Sequence, residues 1–166
     1  MYRAAPPRWA TAKDILSGNG AFKSGGRFNA AGIFPAIYGS TSPELAMMES
    51  LAYQRRAGVP VERAFPLVFK AVSVEVERLL DLTDPVVLAE LQLDVEQLRA
   101  EPWWLARARG QESHGQAVGR AIYSAGLQGL VAASSQSLDH GSNIVLFPDR
   151  LTPGHCRLAV IRRKRR

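Results

Sequence analysis

The sequence predicts a single α+β domain over residues 1–161, followed by a short basic tail at residues 162–166. Three observations predict it. The chain has 166 residues, enough for one domain and too few for two ordinary ones. Apolar runs of strand length lie towards both ends, and segments with helix signals fill the middle. The strands are short and their connections uneven, which argues against a doubly wound parallel sheet. Hydrophobic residues make up 46% of the chain and charged residues 22%, a balance that excludes intrinsic disorder.

The elements follow in order. Residues 17–35 carry Gly18, Asn19, Gly20, Gly25, Gly26, Asn29 and Gly32 and read as looping backbone with several positive-φ positions. Ala36-Ile37-Tyr38 reads as a short strand. Ser42 then offers an N-cap, Pro43 suits the first helical position and Glu44 complements the helix dipole. That helix is expected to run to about Ala57 and stop at Gly58. Residues 65–76 alternate as a strand, with Val68, Val72, Val74 and Val76 on one face and Leu67, Phe69 and Ala71 on the other. Asp84-Pro85 opens a short helix, and Asp94 with Gln97 resembles a capping box for another. Ser113 to Ser124 reads as a helix closed by Gly126. Gly129–Ala133, Asn143–Phe147 and Cys156–Ile161 read as strands.

Charge and cysteine content narrow the function classes. Five of the six net positive charges come from the tail, so the domain itself is close to neutral. A basic tail can hold nucleic acid or an acidic partner, yet it also reads as a solvated terminus. No helix-turn-helix pattern, zinc spacing or aromatic ribonucleoprotein motif accompanies it, so direct nucleic-acid binding is not expected. Cys156 is the only cysteine, which rules out an internal disulfide and fits a reducing, cytoplasmic setting. There is no signal-peptide pattern, and no apolar run reaches the roughly 20 residues of a membrane helix. His114, His140 and His155 lack metal-like spacing, so no metal is expected.

Few residues carry chemistry. On a wheel of the Ser42 helix, Glu49 falls about 40° from Leu45, within the apolar arc of Leu45, Met48, Ala52 and Tyr53. A carboxylate pointing into a core costs several kcal/mol unless something binds it. It could instead reach water from the rim or enter a structural ion pair. Arg56 shares its angle, but seven helical residues span about 10 Å, too far for direct contact. Gly25-Gly26-Arg27-Phe28-Asn29 joins a backbone free of side chains to a planar guanidinium suited to phosphate oxygens; it also reads as a plain turn. It is neither a P-loop nor a dinucleotide-binding fingerprint. Tyr38 ends a strand, Ser134 and Ser135 follow one, and Asn143 begins one; each could be structural.

Taken in order, these residues resemble the RES-domain family. The succession is Tyr2-Arg3, Gly25-Gly26-Arg27-Phe28-Asn29 with Gly32, Tyr38-Gly39-Ser40, Glu49 on a helix, Ser134, and Asn143-Ile144-Val145-Leu146-Phe147-Pro148. The resemblance spans nearly the whole chain and is most specific from Gly25 to Glu49. It implies an ADP-ribosyltransferase-like fold, with mixed sheets and flanking helices around a central NAD cleft. It further implies a toxin of a type II toxin–antitoxin system that degrades NAD+, as substrate, at the nicotinamide–ribose bond by hydrolysis or phosphorolysis. The alternative it implies is ADP-ribosylation of a protein. By this likeness Glu49 is the catalytic carboxylate, Arg27 holds phosphates, and Tyr38 packs on the nicotinamide or its ribose. Arg3, Asn29, Ser134 (or its neighbour Ser135) and Asn143 line the site. An Xre-like antitoxin is the implied partner, and a homodimer is implied on the same grounds. A non-catalytic nucleotide- or nucleic-acid-binding module using the tail remains the reading of a different class.

Overall fold

The computed structural model describes residues 1–136, 141–152 and 156–161. The basic tail, His140 and His155 lie outside the described residues. The elements are β1 (Tyr2–Ala5), α1 (Ala12–Ser17), α2 (Asn19–Ser24), β2 (Ile37–Ser40), α3 (Pro43–Arg56), α4 (Val61–Ala64), β3 (Val68–Val76), β4 (Leu79–Leu82), α5 (Pro85–Glu90), α6 (Val95–Ala100), α7 (Trp103–Ala108), α8 (His114–Ser124), β5 (Gly129–Ala133), β6 (Ser142–Leu146) and β7 (Cys156–Val160). The seven strands form one mixed sheet in the order β4-β5-β6-β2-β1-β3-β7. Only β4 and β5 run parallel; every other pair is antiparallel. β1 and β2 meet through the single pair Tyr2↔Ser40, so two half-sheets join at a narrow seam. Helix α3 packs against both seam strands, and α8 covers β5. This is the expected α+β architecture.

The caps of α3 and α8 were legible. Ser42 Oγ accepts from Leu45 N at 3.1 Å, Pro43 follows, and Gly58 turns the chain away at φ +73°. Ser113 and Gln116 form a reciprocal capping box on α8. Asp94 caps α6 by accepting from Glu96 N and Gln97 N. Several short elements depart from expectation: β1, α1, α2, α4, β4 and α7. Residues 17–35 are not all loop: α1 ends and α2 begins at left-handed Gly18, φ +68°. Helices of six residues carry too little periodicity to announce themselves. The four-residue β4 and the six-residue α7 were missed for the same reason; tertiary partners decide such short pieces.

Strand alternation sorts side chains onto two faces. Registered neighbours Leu130, Val145 and Tyr38 share one face with Ala132, Asn143 and Ser40. On this face Leu82, Leu130, Ala132 and Val145 pack with Phe28, Phe34, Phe147 and Ile122 of α8. The other face carries a second cluster of Ala5, Val72 and Ile15, the last supplied by α1. The two faces of β3 differ in burial: Val72 on the valine face is buried, while Phe69 on the opposite side is 44% exposed.

Helix α8 presses directly on the 25–29 loop. A Cβ on Gly119 would lie 1.8 Å from the Phe28 carbonyl oxygen, and one on Gly115 would lie 2.8 Å from that of Arg27. Gln116 Nε2 donates to the Gly26 carbonyl at 3.0 Å from the same helix. Since the obstruction at Gly119 is backbone, Gly119→Ala is expected to destabilise the fold by about 3 kcal/mol, read as a lower urea midpoint, while Gly20→Ala, on a helix and meeting nothing, does not destabilise it and raises stability by up to about 1 kcal/mol.

Candidate active site

Glu49 is where the predicted residues converge. The buried stripe of α3 runs through Leu45, Ala46 and Ala52, and Glu49 lies in line with it. Met48 and Tyr53, expected in that arc, are 43% and 47% exposed, so the stripe is narrower than the wheel implied. The carboxylate crosses to the ends of β5 and β6. Its Oε1 accepts from Ser134 Oγ at 2.6 Å and from Asn143 Nδ2 at 2.6 Å. Asn143 is itself oriented by Ser40, whose Oγ donates to Asn143 Oδ1 at 3.0 Å. Ser134 is fixed by Gln136 N, which donates to its Oγ at 3.0 Å. Ser40 and Ser134 are buried, so these bonds sit where water competes little. Among the described residues no hydrogen bond reaches Oε2. Among the described residues no ion pair forms on Glu49: neutral donors hold the half-buried carboxylate through Oε1.

Arg27 reaches the same segment from the glycine loop. Its Nη1 donates to the Ala133 carbonyl at 3.1 Å and its Nη2 to Ser135 Oγ. The two adjacent serines thus divide the work, Ser134 on Glu49 and Ser135 on Arg27. Burial holds the Arg27 guanidinium below the usual arginine range, and the negative charge of Glu49 is the largest influence working against that shift.

Tyr38 and Asn29 build the loop. The Tyr38 hydroxyl accepts from Phe28 N at 2.9 Å and donates to Asn29 Oδ1 at 2.9 Å. Asn29 Nδ2 donates to the Ala21 carbonyl at 2.9 Å. Asn29 is fully buried, so it shapes the loop from within and presents no surface to a ligand. The second glycine is explained by the tyrosine: a Cβ on Gly26 would fall 2.5 Å from the Tyr38 hydroxyl oxygen. Gly25 supplies a positive φ of 70°. The Tyr38 ring remains half-buried beside Arg27 and Glu49.

Arg3 is not brought to this group. It faces Lys70 across β1 and β3, on the side of Ala5 and Val72, away from Tyr38 and Ser40. Burial alone lowers its pKa to about 10, and its Nη1 has no partner among the described residues. Three residues were missed as site members. Ser40 belonged to the Tyr38-Gly39-Ser40 run without being given a task. Arg56 makes no direct bond to Glu49, as its distance required, but stacks on Trp104 at 4.7 Å and feels the Glu49 charge. Arg99, on α6, donates Nε to the Ser134 carbonyl at 3.2 Å; no local pattern marks it.

One helix thus offers a carboxylate to donors from two strand ends, facing a guanidinium on a glycine loop. The profile of the RES domain matches residues 1–160. The chain belongs to the RES domain family. Among relatives of this RES chain are the proteins named NAD(+) phosphorylase MbcT of Mycobacterium bovis and Mycobacterium tuberculosis. Each is 28% identical over 148 residues, which is 88% of this chain and 74% of theirs. A solved structure, that of the M. tuberculosis MbcT–MbcA toxin–antitoxin complex, matches with a TM-score of 0.67 at 27% identity. The match covers 95% of this chain and 79% of that one. The mixed sheet and flanking helices of the RES fold are shared with it. Among the described residues no helix is long and apolar enough to cross a membrane.

Tyr38→Phe leaves Phe28 N and Asn29 Oδ1 unpaired and is expected to cost about 1–3 kcal/mol in urea denaturation. Burial raises the Tyr38 pKa above its ordinary value of 10.0. The unfolded phenol therefore loses its proton first, so the contribution of this group holds below pH 10 and falls as pH rises past it. Alkaline absorbance titration should show Tyr38 ionising only with unfolding, and Tyr38→Phe should remove that late step.

Proposed function

We propose that this chain is the toxin of a toxin–antitoxin pair and cleaves the nicotinamide–ribose bond of NAD+, with inorganic phosphate as acceptor. The observation that carries the reading is the Glu49 carboxylate, fixed through Oε1 by Ser134 and Asn143 and, among the described residues, with no protein bond on Oε2. The activity named for the MbcT relatives supports phosphorolysis over hydrolysis.

The chemistry suits a lone acid. Nicotinamide leaves NAD+ as a neutral ring, so the bond breaks without a general acid. Positive charge develops on the ribose as an oxocarbenium. Glu49 Oε2 would accept from a ribose hydroxyl and stabilise that charge in a site where solvent competes little. Phosphate then attacks the anomeric carbon, and the products are nicotinamide and ADP-ribose phosphorylated at that carbon. Arg27 would bind phosphate oxygens of the dinucleotide, and the half-buried Tyr38 ring would attract the cationic pyridinium face by about 0.5–2 kcal/mol. Its hydroxyl is committed to the loop, so that contribution falls to the ring alone. Ser134, Asn143 and Ser40 orient the carboxylate. Asn29 supports the loop, and Arg3 stands outside this scheme.

The complex containing the structural relative supports an antitoxin as partner. The further expectations are that it is Xre-like, that the toxin forms a homodimer and that both act in the cytoplasm.

Purified protein mixed with NAD+ should release nicotinamide and form the phosphorylated ADP-ribose when phosphate is present, and release little nicotinamide when it is left out. Free ADP-ribose at an undiminished rate without phosphate would make water the acceptor, and a labelled protein band would make a side chain the acceptor. Glu49→Gln keeps the shape of the network and removes the charge. Its kcat is expected to fall by about 10²–10³ with little change in thermal stability. Unchanged turnover would remove Glu49 from its role.

A further inference from the structure

Arg56 is a cation that the fold positions without occupying its donors. It lies seven residues after Glu49 on α3. At 3.6 residues per turn the two side chains leave the helix within about 20° of each other, about 10 Å apart along its axis. The Arg56 guanidinium rests on the Trp104 ring, 4.7 Å from its centroid. Among the described residues it makes no hydrogen bond and enters no salt bridge. Arg27, by contrast, commits Nη1 and Nη2 to the 133–135 segment.

The platform under Arg56 is fixed. Trp104 stands edge-on to Trp103 at 6.1 Å, and Trp103 is buried. Their helix, α7, is tied to the start of the glycine loop by Arg107 Nη1, which donates to the Ser24 carbonyl. The Arg56–Trp104 stack therefore joins the wall that carries Glu49 to the wall that carries Arg27. Both partners stay in reach of a ligand: Trp104 is 39% exposed and Arg56 is half-buried.

Stacking holds a guanidinium by its face and leaves its N–H edge free in the ring plane, a fork that matches two oxygens of a phosphate. A side chain already held on an indole also loses less freedom when it engages a ligand. A base stacked on the open face would leave those N–H groups unanswered. The charge of Glu49 acts on Arg56, and that of Arg56 on Arg27, so the three groups share one electrostatic region.

We propose that Arg56, held on Trp104, binds a phosphate group at the α7 end of the site, two helical turns from Glu49. The phosphate has two sources: the pyrophosphate of the dinucleotide, or the free acceptor. The separation from Glu49 suits the pyrophosphate, which lies beyond the reacting ribose, whereas the acceptor must reach the anomeric carbon itself. Which phosphate it is rests on the NAD+-cleaving reading; that a phosphate binds does not.

Calorimetric titration of the purified protein with ADP-ribose and, separately, with inorganic phosphate tests this without turnover. Arg56→Gln is expected to weaken ADP-ribose by about tenfold or more and to flatten the salt dependence of its binding. The same loss for inorganic phosphate, with ADP-ribose unchanged, assigns the group to the acceptor. Affinities for both ligands within about twofold of the unaltered protein overturn the proposal. So does a loss with the salt dependence unchanged, the mark of a residue that only packs α3 on α7. Should Arg56→Gln fail to fold, Trp104→Leu decides, because it removes the platform and keeps the charge. It is expected to weaken one of the two ligands by about threefold, and unchanged affinity for both overturns the proposal. A protein that binds ADP-ribose through Arg56 but never cleaves NAD+ would sink the functional reading and leave this one standing. Cleavage of NAD+ by a protein whose Arg56→Gln variant binds both ligands normally would do the reverse.

Discussion

A carboxylate on the inward side of a helix is the constraint around which this molecule is arranged. Glu49 occupies a position that packing alone would give to an apolar residue, and its charge must be met there. The fold meets it with neutral donors, Ser134 from the end of β5 and Asn143 from the start of β6. This requires β6 to lie between β5 and β2, so that the ends of three strands gather under one helix. Neutral donors also leave the negative charge intact. A direct arginine bond would neutralise it and blunt its effect on a developing cation.

The opposite wall of the site is rigid for a different reason. The glycine loop is not held open for a ligand to approach; it is filled from below. The Tyr38 hydroxyl occupies the space where Gly26 lacks a side chain, and Asn29 closes the turn from inside. Helix α8 then presses on the loop through Gly115, Gln116 and Gly119. Arg27 is therefore presented from a braced turn, which would limit the entropy lost in the anion binding proposed for it. A motif that looks permissive in sequence is tightly determined in space.

Both walls share the peptide at residues 133–135. Its side chains and carbonyls bind Glu49, Arg27 and Arg99 at once. The relative positions of the acid and the cations thus depend on one short segment, and a displacement there would misplace all three. Among the described residues the site has one acid and no histidine, which fits the proposed reading in which the electrostatic field, rather than proton transfer, would carry the chemistry.

The sequence by itself determined what local physics can determine. Ser42-Pro43-Glu44 set the start of α3, Ser113 with Gln116 that of α8, and the order of Gly25 to Glu49 revealed the family and its lone carboxylate. These depend on contacts within a few residues, or on residue types that few structures tolerate together. The tertiary structure decided the rest. It buried Asn29, placed Arg3 on the far face of β1, divided Ser134 from Ser135, and brought Arg99 to the site from more than thirty residues away. Facing and pairing across a sheet depend on register, and a one-residue shift reverses every side chain. No local signal encodes register between strands a hundred residues apart; the joint burial of all their apolar faces does.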